Sequence, residues 1–227
     1  TLKSQIIKLI IGGEFKNKNN ITYIKALDNL NLEIFEGERV GLLGHNGSGK
    51  TTFLRLISDI YTLTSGTIEK KLDIYPMINK SLLIDQDLNG FKAIKAHYLL
   101  SNKNLKGFEV FYKDVIEFSG LGPYIYLPIK KYSEGMLSRL QFSILTGSNH
   151  KSIAIDEGFA TGDIDFQEKA LARLSEFIEN AGTLFFASHS NDLLLRFCKR
   201  GLVFKKGSIT FDGTIENAIE FYENNYL

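Results

Sequence analysis

The segment from Gly44 to Thr51 has the residue types and spacing of a phosphate-binding loop, with the pattern G-x-x-x-x-G-K-[ST]. Glycines in such a loop let the backbone bend so tightly that successive N–H groups point toward a chain of phosphates. Lys50 supplies positive charge for the β- and γ-phosphates, and the Thr51 hydroxyl is an oxygen ligand suited to Mg²⁺. The predicted nucleotide-binding positions of this segment are Gly44, His45, Asn46, Gly47, Ser48, Gly49, Lys50, Thr51 and Thr52.

Two acidic residues, Asp156 and Glu157, follow an apolar, strand-like stretch at residues 153–155. A phosphate loop needs a carboxylate to complete the magnesium shell, and that carboxylate commonly ends a neighbouring strand. We therefore predict that Asp156 belongs to the metal site. Glu157 projects differently and is predicted to position or deprotonate the attacking water.

A histidine, His189, follows the next apolar stretch at residues 184–187. The carboxyl ends of neighbouring parallel strands open on one crevice, where His189 could hydrogen-bond the γ-phosphate and the attacking water. No Cys/His cluster has metal-ligand spacing, so Mg²⁺ carried by the nucleotide is the only metal that the sequence predicts.

A second predicted anion site lies at Ser133 and Gly135, immediately before an apolar helical pattern. The N-terminus of a capped helix binds anions. One phosphate chain has little use for two such sites on the same polypeptide, so we predict that this one contacts the nucleotide of a second copy. The sequence thereby predicts a homodimer with two ATP molecules in its interface.

The elements that must position these residues alternate between buried strands and helices, which predicts an α/β fold with a mainly parallel sheet. Further strands are predicted at residues 26–34 and 66–75, a helical insertion at residues 89–120, and a hairpin over residues 202–210. No linker composition divides the chain, so we expect one domain over residues 1–227.

The bulk composition is that of an ordinary globular protein: 227 residues, 44% hydrophobic and 23% charged. A net charge of +1 gives no electrostatic reason to expect nucleic acid as a partner. A single cysteine excludes an internal disulfide, and no apolar run is long enough to span a bilayer. Residues 2–11 alternate Lys with apolar side chains and predict an amphipathic helix, packed either on its own domain or on a membrane surface.

Together these motifs resemble, in order and spacing, those of an ABC-transporter ATPase, and the resemblance covers essentially the whole chain. The chain is most similar to the ATP-binding subunits of bacterial polysaccharide exporters, which move O-antigen, capsule or teichoic acid. The motifs that carry this resemblance are Leu2-Lys3-Ser4 with Gly12-Gly13, Gly44-His45-Asn46-Gly47, Tyr132-Ser133-Glu134-Gly135-Met136, Asp156-Glu157-Gly158-Phe159, Ala160-Thr161-Gly162-Asp163 and Ala187-Ser188-His189-Ser190.

The resemblance implies an ATPase that uses ATP and Mg²⁺, with an antiparallel β subdomain and a helical subdomain at roughly residues 89–145. It also implies docking on an integral-membrane permease, and a peripheral location at the cytoplasmic face of the inner membrane. No additional carbohydrate-binding domain is expected at the C-terminus. The implied roles are, in chain order, Lys50 and Thr51 for phosphate and magnesium, Ser133 and Gly135 for the second subunit's γ-phosphate, Asp156 for magnesium, Glu157 as the base, Asp163 at the dimer contact and His189 at the γ-phosphate.

Three positions depart from the family pattern or fit it poorly. Glu134 places an acidic side chain where a small or neutral residue is common, and its charge would oppose a nearby γ-phosphate. Gln86 is the nearest candidate for the glutamine expected beside the magnesium and the permease. Tyr23 is our first choice for the aromatic residue that stacks on adenine, and Phe15 is the second.

The alternative within transport is an ATPase subunit of another kind of ABC transporter, and two rival functions lie outside transport. One is a soluble ABC protein of translation or DNA repair, although such proteins usually carry two ATPase modules or a long coiled-coil insertion. The other is a regulator that binds ATP without hydrolysing it. A GTPase is disfavoured because the chain has no Asn-Lys-x-Asp sequence for reading guanine.

Overall fold

The computed structural model describes residues 14–18, 21–78, 85–156 and 164–226, and the side chains of these ranges except those of residues 14–18, 21–23 and 164–165. The predicted amphipathic helix at residues 2–11 lies outside the described residues. The described elements in chain order are β1 (Glu14–Lys18), β2 (Ile21–Lys25), β3 (Arg39–Leu43), α1 (Lys50–Ile57), β4 (Tyr75–Met77), α2 (Gly90–Asn102), α3 (Phe108–Ser119), α4 (Glu134–Thr146), β5 (Ser152–Ile155), α5 (Ile164–Asn180), β6 (Thr183–Ala187), α6 (Asn191–Phe197), β7 (Arg200–Lys205), β8 (Ser208–Thr214) and α7 (Ile215–Tyr226).

The elements fall into two compact units. The first comprises residues 1–78, 151–157 and 181–227, and the second comprises residues 79–150 and 158–180. The first unit contains the strands together with α1, α6 and α7, whereas α2 to α5 form the second. The predicted helical subdomain at residues 89–145 falls within the second unit, to which α5 also belongs.

The main sheet of the first unit has six strands in the order β4-β5-β6-β3-β7-β8. All neighbouring pairs are parallel except β7 and β8, which form an antiparallel hairpin. A separate antiparallel pair, β1 and β2, forms a small second sheet. The predicted α/β fold with a mainly parallel sheet and an antiparallel β portion is therefore confirmed.

Burial explains why the central strands read as continuous apolar runs. Every residue of β5 and β6 is buried, and four of the five residues of β3 are. Helix α1 packs on this sheet through Phe53, whose ring lies 6.2 Å from that of Phe185 and 5.4 Å from that of Phe204. Such fully buried side chains each contribute roughly 2 kcal/mol or more through removal of apolar surface from water.

Two predicted strands are wrong. Residues 26–34 follow β2 without forming a strand, although Leu30, Leu32 and Ile34 pack against the core. The apolar side chains of this segment face the core, but the segment has no assigned ladder partner among the described strands, and Asn29 within it adopts a positive φ of 49°. In the segment predicted at residues 66–75, only Tyr75 belongs to a strand, β4.

The second unit has its own helical core. Its fully buried members include Ile94 on α2, Val115 on α3, and Leu140 and Ile144 on α4. Arg173 on α5 ties these helices together, because its guanidinium donates to Asp114 on α3 and to the Thr146 hydroxyl at 2.8 Å. None of the helices in the described ranges is long and apolar enough to cross a lipid bilayer.

Two histidines of the second unit are held in the neutral form by burial. Desolvation lowers the pKa of His97, on α2, from 6.5 to about 4. It also lowers the pKa of His150, after α4, to about 4, and the proximity of His97 contributes to that shift. Because the unfolded chain binds protons on these residues below about pH 6.5 and the folded chain does not, protonation favours unfolding.

We expect the free energy of unfolding to fall as the pH is lowered from about 6.5 toward 4, with a loss of about 2 to 4 kcal/mol at pH 5 for the two histidines together. Urea unfolding at a series of pH values measures this slope. A His97→Gln/His150→Gln variant should lose that part of the slope, whereas His45→Gln, which alters an exposed histidine, should keep it. An unchanged slope in the double variant would contradict the assignment.

Candidate functional site

Three predicted site segments leave the sheet at the same edge. Strand β3 runs parallel to β6 with Leu42 opposite Ala187, and β5 runs parallel to β6 with Ile155 opposite Phe186. The segments that follow these strands begin near Gly44, Asp156 and Ser188. The carboxyl end of this sheet therefore gathers the phosphate loop, the metal-site carboxylate and the turn that carries His189.

The conformation of the loop after β3 explains its glycines. Gly44, Gly47 and Gly49 have φ values of 141°, 78° and 116°, which are left-handed backbone conformations that other residues rarely adopt. Helix α1 begins immediately afterwards, and its first intrahelical bond runs from the Phe53 N–H to the Gly49 carbonyl at 2.9 Å. The first N–H groups of α1 are thus available to an anion at the loop.

Lys50 is held inside this loop. Its side chain is buried, and its ammonium group donates to the carbonyl of Gly44 and lies 3.4 Å from that of His45. The charge is therefore fixed within the curve of the backbone rather than extended into solvent. His45 and Asn46 are exposed on the loop, and Thr52 is half-buried on α1.

Thr51 and Asp156 meet across two elements. The Thr51 hydroxyl on α1 donates to a carboxylate oxygen of Asp156, at the end of β5, over 2.6 Å. Two hard oxygen donors that converge in this way fit Mg²⁺, which binds through one or two protein oxygens, substrate phosphates and water. The described residues contain no group of three or more His, Cys, Asp or Glu side chains that could hold a metal alone.

His189 lies exposed in the turn after β6. The turn is well defined, because the Ser188 hydroxyl accepts a hydrogen bond from the Ser190 N–H at 3.0 Å and Ser190 caps α6 by accepting from Leu193 at 3.4 Å. This arrangement supports the predicted placement of His189 at the sheet edge. Its contact with a γ-phosphate stays a prediction.

Three predicted site residues cannot be placed in the same way. Glu157 and Asp163 lie outside the described residues. Tyr23 belongs to β2, where its backbone pairs with Lys16, but its side chain is outside the described part. The roles of all three as base, dimer contact and adenine platform therefore stay predictions.

In the second unit, Ser133 caps α4 as the sequence predicts. Its hydroxyl accepts a hydrogen bond from the Met136 N–H at 3.2 Å. Gly135 lies in the first turn, where the nearest atom to an added Cβ would be the Ser133 hydroxyl at 3.9 Å, so this helix tip is uncrowded. The carboxylate of Glu134, in the first turn of α4, interacts favourably with the helix dipole, but its negative charge would repel an anion bound at the same helix tip.

Gln86 lies in a short turn before α2. Its side chain is exposed, and its backbone carbonyl accepts a hydrogen bond from the Lys130 backbone N–H at 3.0 Å. This turn belongs to the second unit, whereas Thr51 and Asp156 belong to the first. The proposed role of Gln86 at the metal is therefore still a prediction.

The sequence did not predict one neighbour of the phosphate loop. Gly207, in the hairpin turn between β7 and β8, donates its N–H to the carbonyl of Ser48 at 2.8 Å. The sequence predicts this hairpin turn, and in the structure both Lys206 and Gly207 adopt the positive φ that such turns require. Nothing in the local pattern indicated what the turn contacts.

Comparison with known proteins identifies the family. The pattern that describes ABC transporters matches residues 27–160. The chain is 34% identical over 201 residues to the O-antigen export system ATP-binding protein RfbE of Yersinia enterocolitica, covering 88% of this chain and 84% of that one. It is 36% identical over 209 residues to the teichoic acids export ATP-binding protein TagH of Staphylococcus epidermidis, covering 92% and 78% of the two chains.

The fold also matches that of solved cassettes. A dimeric post-hydrolysis structure of the ATP-binding cassette MJ0796, bound to ADP and Pi, superposes with a TM-score of 0.68 and covers 89% of this chain and 96% of that one. At 19% sequence identity this likeness supports the fold alone. The family pattern at residues 27–160 includes the phosphate loop and Asp156, whose geometry fits nucleotide and magnesium, and the two relatives are 34% and 36% identical. The chain therefore belongs to the ABC transporter family.

Proposed function

We propose that this chain is the ATP-hydrolysing subunit of an ABC exporter that moves a cell-surface polysaccharide of the O-antigen, capsule or teichoic acid type across the inner membrane. The observation that carries the proposal is the similarity to RfbE and TagH, each covered over more than three quarters of its length. The ammonium of Lys50 within the phosphate loop and the contact of Thr51 with Asp156 supply the chemistry for such an activity.

In the proposed reaction the chain binds, orients and stabilises charge, and it forms no covalent intermediate. Lys50 and the N–H groups at the start of α1 bind the phosphates and offset the charge that develops as the γ-phosphoryl group transfers. Thr51 and Asp156 would hold Mg²⁺, which would supply positive charge to offset the charge of the phosphates. Glu157 would orient and deprotonate water, and His189 would hydrogen-bond the γ-phosphate.

We also propose that two copies close around two ATP molecules. The support is the second anion-binding helix tip, where capped and uncrowded α4 presents Ser133 and Gly135. In such a dimer this tip contacts the γ-phosphate held by the other subunit, and Asp163 lies at the contact. ATP then favours the closed dimer and hydrolysis favours the open one, which biases a two-state permease.

The surface that we propose for the permease, here called the aromatic surface, lies on the second unit and includes Phe91, Tyr112, Tyr124, Tyr126 and Leu127. The Tyr126 and Leu127 side chains are 63% and 45% exposed. Phe91 packs edge-on against Tyr112 at 5.1 Å, and the hydroxyls of Tyr112 and Tyr126 lie 3.4 Å apart. Exposed tyrosine and leucine side chains beside packed aromatic rings are typical of a protein interface.

The loop that contains Gln86 is fastened next to this surface. The Ile129 N–H donates to the Leu88 carbonyl at 2.9 Å, and Lys130 pairs with Asp87 at 2.7 Å. The same residues lead through a short 3-10 turn into Ser133. A permease segment bound to the aromatic surface would therefore contact the loop that contains Gln86. That loop is hydrogen-bonded to Ile129 and Lys130, which precede the Ser133 cap of α4.

Tyr126→Asp tests the aromatic surface. We expect the ATPase rate of the purified subunit to stay within about twofold of the wild-type rate, and its stimulation by reconstituted permease to fall by about tenfold, because a charge at an apolar contact is costly to desolvate. Tyr61→Asp, which alters an exposed tyrosine of the first unit, is the matched control. Equal stimulation of both variants would contradict the docking proposal.

The decisive functional experiment is loss and restoration of export in cells. Deletion of the gene should remove the polysaccharide from the cell surface and leave the polymer inside the cell, and the wild-type gene should restore export whereas Lys50→Met should not. Unchanged surface polysaccharide after deletion would exclude this transporter role. If the protein then sedimented with ribosomes or DNA, the soluble ABC alternative would replace it.

A further inference from the structure

The turn between β7 and β8 joins two segments of the first unit through backbone bonds. The Gly207 N–H donates to the Ser48 carbonyl at 2.8 Å, and the Gly207 carbonyl accepts from the Asp28 N–H at 2.8 Å. The Ser208 hydroxyl adds a third bond, to the Asp28 carbonyl at 3.3 Å. Gly207 therefore connects the phosphate loop on one side with the segment that follows β2 on the other.

The contact is too close for any side chain. Gly207 has a φ of 83°, and a Cβ added there would lie 2.6 Å from the Ala26 carbonyl oxygen and 3.1 Å from the Leu27 Cα. From the opposite side, a Cβ added at Gly49 would lie 3.0 Å from the same oxygen and 3.3 Å from the Gly207 Cα. The atoms in contact are mainly backbone, so a rotamer change cannot relieve the crowding.

The bond to Ser48 sets the direction of a phosphate-binding N–H. A trans peptide unit is planar, so its carbonyl and its N–H point in opposite directions. The Ser48 carbonyl points toward Gly207, and the N–H of Gly49 in the same peptide unit therefore points away from the hairpin turn. Ser48 itself is buried, which leaves this peptide little freedom to rotate.

We propose that Gly207 is a positioning residue for nucleotide binding, whose N–H fixes the Ser48–Gly49 peptide of the phosphate loop and whose carbonyl fixes the chain as it leaves β2. This inference rests on the proposed ATP-binding function. The two sides of the nucleotide site are then set by one turn. The N–H of Gly207 fixes the conformation of the phosphate loop through Ser48. The carbonyl of Gly207 fixes the backbone at Asp28, which follows the strand that carries Tyr23.

The test compares Gly207→Asn with Gly37→Asn. Gly37 has nearly the same φ, 87°, but no atom lies within 4 Å of an added Cβ. Asparagine tolerates positive φ better than other non-glycine residues, so both variants carry similar backbone strain and only the first disturbs the contact. Calorimetric titration with ATP, and separately with inorganic tripolyphosphate, measures affinity, and thermal unfolding measures stability.

We expect Gly207→Asn to weaken binding of both ATP and tripolyphosphate by about tenfold or more and to raise KM with little change in kcat, because the loop holds the phosphates before and during the reaction. Gly37→Asn should bind both within about twofold of wild type. Equal affinities in the two variants would contradict the positioning role, as would unchanged tripolyphosphate binding by Gly207→Asn. Failure of the wild-type protein to bind ATP would instead contradict the proposed function.

A milder pair of variants covers the case in which Gly207→Asn does not fold. Ser208→Ala removes only the hydroxyl bond to the Asp28 carbonyl, and Thr210→Ala removes a comparable bond to the Val203 carbonyl in the same hairpin. We expect Ser208→Ala to weaken ATP binding about threefold, consistent with the loss of one hydrogen bond, and Thr210→Ala to leave it unchanged. The same affinity in both would overturn the inference.

Discussion

Lys50→Met is expected to lower kcat/KM for ATP hydrolysis by at least about 100-fold, because it removes the one charge that the loop holds among its own carbonyls. Methionine has a similar length and is apolar, so the buried position stays filled and the fold should persist. The expected loss therefore reflects charge and hydrogen bonding rather than a cavity. Steady-state release of phosphate from ATP measures it.

The matched control is Lys199→Met, which removes the same charge from an exposed position of the same unit. Its hydrolysis rate should stay within about twofold of the wild-type rate, because a surface charge is screened by solvent. If Lys50→Met hydrolysed ATP as fast as the control, the ammonium would have no part in the reaction. The assignment of the loop as the phosphate site would then be wrong.

The local parts of the site could be predicted because their information is contiguous. From Gly44 to Thr51 the sequence supplies both the glycines for left-handed backbone and the lysine and threonine that act there. The Ser133 cap is equally local, since a cap bonds an N–H three residues later. Such features depend on neighbours along the chain, and the structure reproduces them.

Parts that depend on distant pairing were harder to predict. The apolar runs of β3, β5 and β6 were recognisable, but their sequence does not say that β6 lies between β5 and β3. The apolar residues of the segment 26–34 predicted a strand, yet such residues report only which side chains face the core and say nothing about a ladder partner. The contact of Gly207 with Ser48 is of the same kind, because it joins backbone atoms far apart in sequence.

Asp156→Asn is expected to lower kcat/KM at fixed Mg²⁺ by about 100-fold. Of the two described oxygens that fit the metal, the Thr51 hydroxyl is neutral and the Asp156 carboxylate is charged, so the substitution removes the charged ligand. Asparagine keeps the shape and can still accept the hydrogen bond from the Thr51 hydroxyl, so the strand end should be undisturbed. Part of the lost rate should return as Mg²⁺ is raised, since weaker metal affinity is offset by mass action.

Nucleotide binding without metal separates this role from a structural one. In the presence of EDTA, Asp156→Asn should bind ATP at least as tightly as the wild-type protein, because a carboxylate near phosphates repels them when no cation lies between. Asp212→Asn is the matched control, since it makes the same charge change where Arg200 keeps its second partner, Glu38, at 2.8 Å. It should alter neither the magnesium dependence nor the rate. Loss of ATP binding by Asp156→Asn in EDTA would show that the carboxylate supports the loop itself, and the metal assignment would have to be abandoned.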